Sequence, residues 1–431
     1  MSDDPLLSVR DLETHYPITK GWLRREVGRV RAVDGISFDL ARGETLGLVG
    51  ESGSGKTTAA HSILGIETPT GGEIRFDGIP VGERSGESLR AFRRRVQLVV
   101  QDPNDALNPR MSVGEAVAEP LRIHGFDEPD RRQAIVEDLL ERVGLSASDH
   151  DRYPHEFSGG EKQRISIARA LIVSPDLIVA DEPTSALDAR VRADILDLLD
   201  TVRREFDVAV LFISHDLDVV RRFCDRVVVM YLGELVERGP TDAVFDDPAH
   251  PYTQVLRSSV PALDPTDRAL GRPLTETVPE PSDPPSGCRF HPRCPAVIPP
   301  AAIELSQETW RSVAAFRFTV QAGELPPTIA PDRNASGAVT PDAVRKAFGL
   351  PDPIPDETVE EVIRRAAAAL ADGDADRANE LLSEGVPTVC ESTAPKTVTR
   401  NEGQSVQCLR YDPSIDAEPI ADGTTGGSTG E

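Results

Sequence analysis

The chain carries Gly50-Glu51-Ser52-Gly53-Ser54-Gly55-Lys56-Thr57-Thr58 directly after the apolar run Thr45–Val49. This stretch fits the pattern G-x-x-x-x-G-K-[ST], and a helix is expected to open at Thr57. The glycines let backbone N–H groups turn toward phosphate oxygens, and the start of the helix adds the positive end of its dipole. Lys56 supplies charge for the β- and γ-phosphates, and Thr57 supplies a hydroxyl for Mg²⁺. The stretch therefore predicts a loop that binds the phosphates of a nucleotide.

Apolar runs alternate with amphipathic helical patterns over residues 1–260. Leu177–Ala180 and Val208–Ile213 are continuously apolar, which is typical of strands buried on both faces. Ile195–Phe206 has the pattern of a helix between them. This alternation predicts an α/β core with a mostly parallel sheet. Residues 102–165 begin loop-like and then become helical, and they predict a helical subdomain inserted in that core.

The charge balance limits the classes of function. The chain has 431 residues with 72 Asp and Glu against 47 Lys and Arg, a net charge of −25. Proteins that bind nucleic acid normally show the opposite balance, so no nucleic-acid partner is expected. An acidic surface poor in lysine resembles that of proteins from salt-loving archaea, where salt screens the self-repulsion. The sequence therefore predicts a halophilic, haloarchaeal origin.

No segment predicts insertion into a membrane. No apolar run approaches the roughly 20 residues that a membrane helix needs. The acidic start Met1–Pro5 lacks the positive charge and apolar core of a secretory signal. We therefore expect a cytosolic protein that reaches a membrane only through another protein. Five cysteines in that compartment are expected to be thiols, and Cys224, in an apolar-periodic stretch, is expected to be a buried small hydrophobe.

Other residues along the chain fit the chemistry of a bound nucleotide. Asp181 and Glu182 end a buried strand, where Asp181 could hold Mg²⁺ through water and Glu182 could polarise the attacking water. His215 follows the next strand and could contact the γ-phosphate. Gln101 ends another apolar run and could reach Mg²⁺ or water, and Tyr16 could stack on adenine. Each alone has a plainer explanation, such as a solvated strand end, a structural histidine or a core aromatic.

Together these residues resemble the motif set of ATP-binding cassette (ABC) ATPases over roughly residues 6–260. The motifs follow the family order of A-loop, Walker A, Q-loop, signature, Walker B, D-loop and H-loop: Tyr16, Gly50–Thr58, Gln101, Ser158-Gly159-Gly160, Asp181-Glu182, Ser185-Ala186-Leu187-Asp188 and His215. The resemblance implies a P-loop nucleotide-binding domain, with a RecA-like core and a helical subdomain, that hydrolyses ATP with Mg²⁺.

The same resemblance implies roles for the matched residues. Glu182, His215 and Lys56 would be catalytic, and Thr57, Gln101 and Asp181 would hold Mg²⁺. Ser158, Gly159, Gly160 and Asp188 would serve ATP bound to another subunit. The signature departs from the family pattern, which has Gln where this chain has Glu161. A carboxylate near the partner's γ-phosphate is unfavourable unless a cation such as Lys162 offsets it, yet activity is expected to survive.

A narrower resemblance points to the ATPases of oligopeptide and dipeptide importers. Gln101–Met111, Tyr153–Phe157 and His250–Thr253 are similar to segments of that family, and Asn108-Pro109-Arg110 with Glu119-Pro120-Leu121 resembles the second of its two paired ATPases. The resemblance implies a peripheral subunit on the cytoplasmic face of the membrane. Its partners would be a second, different ABC ATPase, two permease subunits and an external substrate-binding protein. Nickel or another small solute as cargo, an exporter, and a non-transport ABC ATPase stay open as alternatives.

The remaining cysteines resemble the C-terminal extension of the same importers. Cys288 and Cys294 match its first two cysteines, Ala301 stands where the third is expected, and Cys390 and Cys408 resemble the third and fourth. The resemblance implies a centre of four thiolates that holds a [4Fe–4S] cluster or, alternatively, zinc. Four unliganded thiols are the remaining alternative.

This match divides the C-terminal part of the chain. The extension would comprise residues 261–297 and 386–412, separated by an insertion at 298–385 and followed by a disordered tail at 413–431. Within the insertion, Glu357–Leu370 and Ala375–Leu382 have the pattern of short amphipathic helices. The insertion is expected to be a surface excursion with no chemistry of its own.

Overall fold

The computed structural model describes residues 4–22, 25–258, 272–326, 329, 339–400 and 403–419. The chain forms two compact units, Met1–Asp242 and Ala243–Glu431. The predicted boundary near residue 260 lies outside the described residues, as does the predicted disordered tail from residue 420 onward.

The first unit contains ten strands and eight helices within the described residues. The strands are β1 (Leu7–Lys20), β2 (Arg25–Leu40), β3 (Thr45–Val49), β4 (Gly71–Phe76), β5 (Ile79–Pro80), β6 (Val96–Val99), β7 (Leu177–Asp181), β8 (Ala209–Ser214), β9 (Arg226–Tyr231) and β10 (Glu234–Pro240). The helices are α1 (Lys56–Ile63), α2 (Gly86–Arg95), α3 (Pro103–Ala106), α4 (Val113–Ile123), α5 (Pro129–Arg142), α6 (Gly159–Leu171), α7 (Ala189–Phe206) and α8 (Leu217–Phe223).

The central sheet of this unit has the strand order β10-β9-β3-β8-β7-β6. The neighbouring pairs from β9 to β6 in this order are parallel, and β10 pairs with β9 as an antiparallel hairpin. Every residue of β3, β7 and β8 is buried, as continuous apolar runs predict for strands covered on both faces. The predicted mostly parallel α/β core is confirmed. Its parallel strands bring the segments that follow β3, β6, β7 and β8 to one edge of the sheet.

An antiparallel sheet with the order β2-β1-β4-β5 lies in the same unit. Strands β1 and β2 form a hairpin of 14 and 16 residues. Half-exposed and exposed positions dominate the part of the hairpin near its turn. Because those positions carry many charged residues, they give no alternating apolar signal.

Helices α3 to α6 follow β6 and precede β7, and α6 extends beyond the predicted helical segment at 102–165. The helical segment is interrupted between α4, which ends at Ile123, and α5, which begins at Pro129. Gly125 adopts a φ of +82° in this turn. A left-handed glycine after the last helical turn is a common way to end a helix, and proline is favoured at the start of the next.

The second unit is helical, with one small hairpin. Its helices are α9 (Thr241–Asp246), which begins just before the unit, α10 (Pro251–Ser258), α11 (Gln307–Ala322), α12 (Pro341–Ala347), α13 (Glu357–Ala371), α14 (Ala375–Gly385) and α15 (Val389–Ser392). Strands β11 (Thr397–Thr399) and β12 (Ser405–Gln407) pair antiparallel. The two predicted helices of the insertion are confirmed as α13 and α14.

Helix α11 was not predicted. Its buried residues include Trp310, Val313, Phe316, Arg317 and Phe318, and they surround the helix instead of lining one face. A helix buried on several sides lacks the single apolar stripe that identifies a surface helix. Within the described residues, none of the helices combines the length and apolar character needed to cross a bilayer.

Candidate nucleotide site and thiol cavity

The glycine-rich loop after β3 requires glycine for steric reasons. Gly55 has a φ of +105°, and a Cβ at this position would lie 1.9 Å from the carbonyl oxygen of Ala32. A Cβ on Gly50 would likewise lie 2.2 Å from the carbonyl oxygen of Met230. The backbone therefore approaches its neighbours too closely at these two positions for any side chain.

Lys56 begins α1 and lies folded over this loop. It is only 6% exposed, and its Nζ donates to the carbonyl oxygens of Gly50 and Glu51, both at 2.8 Å. Burial lowers the pKa of Lys56, although the nearby carboxylates of Glu182 and Asp181 act in the opposite direction. A buried cation held by carbonyl oxygens can transfer to phosphate oxygens when they enter the loop.

Two predicted Mg²⁺ ligands are in contact. Asp181 ends β7 and is 9% exposed, and the hydroxyl of Thr57 on α1 hydrogen bonds to its carboxylate. Burial raises the pKa of Asp181, and the charge of Glu182 adds to this effect, while the Thr57 hydrogen bond opposes it. Hydroxyl and carboxylate oxygens are ligands that Mg²⁺ accepts, so this pair could hold the ion.

Glu182 joins two other predicted residues. Its Oε1 lies 3.0 Å from Nδ1 of His215, and its Oε2 accepts a hydrogen bond from Nε2 of Gln101 at 3.2 Å. Its backbone has a φ of +45°, and its N–H donates to the carbonyl oxygen of Ile213 on β8 at 3.0 Å. Non-glycine residues with positive φ cost about 1–3 kcal/mol and occur preferentially at functional sites. The structure therefore fixes the direction of this carboxylate through its backbone.

The loop that carries His215 is held by residues that the sequence analysis missed. Asp216 caps α8 by accepting hydrogen bonds from the N–H groups of Asp218 and Val219. The other oxygen of the Asp216 carboxylate pairs with Arg192 of α7. An aspartate directly before a helical pattern is a recognisable N-cap, so Asp216 could have been found from the sequence, whereas Arg192 has no such signal.

Ser158 begins the signature helix α6 and is bound to Glu161. The backbone N–H and the hydroxyl of Ser158 donate to Oε2 of Glu161 at 2.8 and 2.7 Å, and Glu161 N–H donates back to the Ser158 hydroxyl. The hydrogen bonds from Ser158 hold the pKa of Glu161 below its usual range. This capping box was present in the sequence as S-x-x-E. Its consequence is that a carboxylate occupies the positive end of the signature helix.

The signature glycines lie against the start of α7. A Cβ on Gly160 would lie 2.4 Å from Cγ1 of Val191, whereas a Cβ on Gly159 would lie at an ordinary 3.8 Å from Leu187. Asp188 caps α7 by accepting from the N–H groups of Arg190 and Val191. The predicted residues Ser158, Gly159, Gly160 and Asp188 are thus neighbours.

Tyr16 is placed on β1 with 37% of its surface exposed. Two residues earlier on the same strand, the Thr14 hydroxyl hydrogen bonds to that of Ser62 on α1 at 2.9 Å. This bond ties the strand of Tyr16 to the helix that follows the glycine-rich loop, and the adenine contact of Tyr16 stays a prediction.

Four cysteines of the second unit line one small cavity, here called the thiol cavity: Cys288, Cys294, Cys390 and Cys408. The Cys288 N–H donates to the carbonyl oxygen of Cys390 at 2.8 Å. Burial raises the pKa of Cys294, and the other three thiols add to the effect. All four are free thiols. Within the described residues, no three Cys, His, Asp or Glu side chains are arranged as a metal ion requires.

Cys224 lies in the first unit and is 7% exposed. Burial raises the pKa of its thiol far above the usual range. The prediction of a small buried hydrophobe is confirmed, because a thiol in such surroundings stays protonated.

Three family models match the chain. The ABC transporter model matches residues 33–185, and the model for the oligopeptide/dipeptide transporter C-terminal region matches residues 236–299. A domain of unknown function matches residues 307–403, which includes most of the predicted insertion.

Curated relatives align with most of their own length. The oligopeptide transport ATP-binding protein AppF of Bacillus subtilis is 47% identical, over 69% of this chain and 92% of its own. A probable peptide ABC transporter ATP-binding protein of Sinorhizobium fredii is 48% identical, over 68% and 84%. The dipeptide transport ATP-binding protein DppF of Escherichia coli is 46% identical, over 67% and 86%.

These matches and the α/β architecture confirm the predicted family and fold class, and ATP hydrolysis is the activity of that family. The chain belongs to the ATP-binding proteins of ABC transporters, in the group that carries the oligopeptide/dipeptide transporter C-terminal region.

Proposed function

We propose that this chain is the ATP-hydrolysing subunit of an importer that takes up oligopeptides or dipeptides across the cytoplasmic membrane. The observation that carries the proposal is the convergence of Lys56, Asp181, Glu182, Gln101 and His215 at one edge of the parallel sheet. The C-terminal match at residues 236–299 and the printed names of the relatives support peptides as the cargo.

The residues of the site divide the chemistry among them. The loop Gly50–Thr58 would hold the phosphates of ATP, with Lys56 moving from its carbonyl partners to the phosphate oxygens. Thr57 and Asp181, with Gln101 nearby, would hold Mg²⁺, which offsets the charge on the β- and γ-phosphates. Glu182 would orient the attacking water.

Catalysis in this arrangement is positioning and electrostatic stabilisation. His215 and Lys56 would stabilise the charge that develops as the bond to the γ-phosphorus breaks. The side chain of Gln101 donates a hydrogen bond to Glu182. It would report the presence of the γ-phosphate because that contact must change when ATP and Mg²⁺ enter.

A second group of residues supports the proposal of a partner ATPase. Ser158, Gly159, Gly160 and Asp188 lie together at the starts of α6 and α7, and we place them against ATP bound to a second, different ABC ATPase. Two permease subunits and an external substrate-binding protein complete the assembly. The chain would then lie peripherally on the cytoplasmic face of the membrane.

Reconstitution of the complex in lipid vesicles tests the cargo. ATP hydrolysis is measured with the binding protein and, in turn, dipeptides, longer peptides, nickel chelates and sugars. The proposal expects stimulation by peptides, and a matched complex carrying Glu182→Gln should lose the stimulated turnover of this chain's site. Stimulation by nickel chelates or sugars but not by peptides would show that the cargo is another solute. Hydrolysis that needs neither permeases nor cargo would favour a non-transport ATPase.

We further propose a metal centre in the thiol cavity, either a [4Fe–4S] cluster or zinc. Three buried cysteines and the half-buried Cys288 form a donor set that either group accepts. The sulfur positions in this structure do not themselves form a metal site, so the proposal rests on the donor set and on its burial. Iron, sulfide and zinc analysis of protein purified without oxygen tests it, and metal-free protein would contradict it.

We retain the predicted division of the chain as a proposal: an ATPase domain at 1–260 with its helical subdomain at 102–165, an extension at 261–297 and 386–412, and an insertion at 298–385. The separate family match at residues 307–403 supports an inserted module. Limited proteolysis would test the boundaries, and fragments that ignore them would contradict the division.

We also infer that the chain works in concentrated salt, because its net charge is −25. Self-repulsion on that scale is screened as the Debye length falls from about 10 Å at 0.1 M to about 3 Å at 1 M. The unfolding temperature should therefore rise with KCl over this range. An unchanged or falling value would contradict the inference.

A further inference from the structure

Helix α11 of the insertion touches all three chain segments that bring cysteines to the thiol cavity. These segments contain Cys288 and Cys294, then Cys390, then Cys408. The contacts lie at the first residue of α11 and near its middle, so the helix spans the cavity's supporting loops. All of them lie within the second unit.

Gln307, the first residue of α11, joins two of the segments. Its Nε2 donates to the carbonyl oxygen of Val297 at 3.3 Å, three residues after Cys294. Its Oε1 accepts a hydrogen bond from Arg410 at 2.7 Å. Arg410 follows Cys408 by two residues and lines the thiol cavity itself.

Arg317, near the middle of α11, fixes the segment of Cys390. It is 2% exposed, and it donates to the carbonyl oxygen of Val386 at 2.9 Å and to Oε1 of Glu391 at 2.5 Å. Glu391 directly follows Cys390. Its other oxygen accepts from the N–H of Thr388, so one guanidinium holds both ends of the turn that contains the cysteine.

The next residue of α11 contacts the remaining segment. The ring of Phe318 lies 5.4 Å from that of His291, and Nδ1 of His291 hydrogen bonds to the carbonyl oxygen of Cys288 at 2.8 Å. Cys288 in turn donates its N–H to Cys390. The contacts of α11 therefore close a ring of hydrogen bonds and packing around the cavity.

We propose that α11 is the clamp that holds the four thiols together and that Arg317 is a positioning residue for Cys390. A charged side chain is rarely fully buried unless it is paired. Removing one member of a buried ion pair leaves the charge of the other member without compensation. The insertion thereby becomes part of the thiol centre, contrary to the expectation of a surface excursion without chemistry. The proposal rests on the thiol cavity and not on ATP hydrolysis.

Site-resolved thiol labelling of the full chain tests the clamp. Iodoacetamide is added without nucleotide and with a chelator present, and the labelling rate of each cysteine is read by peptide mass spectrometry. Arg317→Gln should raise the rate at Cys390 by roughly 10-fold or more, because the turn loses its anchor and opens locally. In Arg317→Lys, which keeps the positive charge, the labelling rate of Cys390 should lie between those of the wild type and Arg317→Gln.

Arg345→Gln is the matched control. Arg345 is a second buried arginine of the insertion, 6% exposed, and it pairs with Glu360 at 2.8 and 3.0 Å. Its hydrogen-bond partners, Glu360 and Pro351, lie outside the cysteine segments, so its loss should destabilise the insertion and leave Cys390 within about 2-fold of the wild-type rate. Equal labelling of Cys390 in Arg317→Gln and Arg345→Gln would overturn the proposal.

Gln307→Ala provides a test that keeps the buried ion pair intact. The variant should increase the labelling of Cys294 and Cys408 and leave that of Cys390 unchanged. The reason is that the hydrogen bonds of Gln307 go to Val297 and Arg410, in the segments of Cys294 and Cys408. Uniform labelling of all four cysteines would overturn the clamp. Labelling needs neither ATP nor a partner subunit. A negative labelling result would therefore not affect the transport proposal, and a negative transport result would not affect the conclusion about α11.

Discussion

The Glu182 carboxylate lies 3.0 Å from the His215 ring, and the two residues follow neighbouring parallel strands. The side-chain amide of Gln101 donates a hydrogen bond to the other carboxylate oxygen of Glu182. The group that would orient water is therefore held by two side chains, and both belong to segments that contact the nucleotide in the proposed mechanism.

His215→Ala should abolish most hydrolysis and retain ATP binding. The variant removes one of the two groups that hold Glu182 and leaves the loop of Lys56 intact, so we expect a loss of at least about 100-fold in turnover. Turnover and nucleotide affinity of the assembled complex are the measurements. His124→Ala, at the residue directly after α4, is the control and should retain activity; equal losses in both variants would contradict the assignment.

Asp181→Asn should stabilise the nucleotide-free protein while abolishing Mg²⁺-dependent hydrolysis. Burial and Glu182 raise the pKa of Asp181, so its charged form opposes folding at neutral pH. We expect a gain of roughly 0.5–2 kcal/mol in the free energy of unfolding at pH 7.

The pH dependence of this gain in the free energy of unfolding tests its electrostatic cause. A carboxyl group with a raised pKa favours folding below its unfolded value and loses that contribution as pH rises through its folded value. The difference between Asp181→Asn and wild type should therefore shrink as pH falls toward about 4. A gain that grows on acidification, measured by chemical denaturation, would refute this account of Asp181.

Gly160→Ala should disrupt the contact between the signature helix and α7. The new Cβ would meet Val191 at 2.4 Å, and such overpacking costs about 1–3 kcal/mol. Gly159→Ala is the matched control, because its Cβ has room and alanine favours a helix by about 0.5–1 kcal/mol over glycine. The double variant Gly160→Ala with Val191→Ala should recover stability. Thermal unfolding that ranks the two glycine variants alike would count against this packing.

Glu161→Gln should act on stability in the opposite direction to Asp181→Asn. Hydrogen bonds from Ser158 lower the pKa of Glu161, so its charge supports folding above the unfolded pKa, and this support is lost as pH falls through the folded value. The variant should lose roughly 0.3–1 kcal/mol at pH 7, the usual contribution of a charge at a helix N-terminus. Its difference from wild type should vanish on acidification.

The same variant should raise hydrolysis of ATP bound to the partner ATPase. Glu161 holds the Ser158 hydroxyl and presents a negative charge toward the proposed position of the γ-phosphate. Removing that charge should increase turnover at the partner's site by about 2–10-fold. A complex whose own Glu182 site is inactivated isolates this turnover, and a decrease would show that Glu161 assists the partner.

Much of the first unit could be predicted because its elements have local signals. The continuous apolar run Thr45–Val49 matches β3 residue for residue, and β7 and the helix at Ile195–Phe206 also follow the predicted pattern. The loop Gly50–Thr58 carries its own sterically defined motif. Parallel strands then bring Asp181, Glu182 and His215 to one edge, as their positions after strands require.

Features that depend on long-range packing could not be predicted. The salt bridge between Arg192 and Asp216 links α7 to the segment before α8, and no local pattern marks it. Helix α11 lacked a single apolar face, so neither it nor its contacts with the cysteine segments were expected. The capping box of Ser158 and Glu161 was readable, but its effect on the signature hydroxyl required the geometry.

Trapping of ATP by Glu182→Gln tests the central claim most directly. The complete complex is assembled with this variant, and bound nucleotide and steady-state hydrolysis are measured on the same sample. The account predicts retained ATP binding, with bound ATP in place of ADP, and hydrolysis at this chain's site lowered at least about 100-fold. Undiminished turnover at that site would contradict the role of Glu182 and the mechanism built on it.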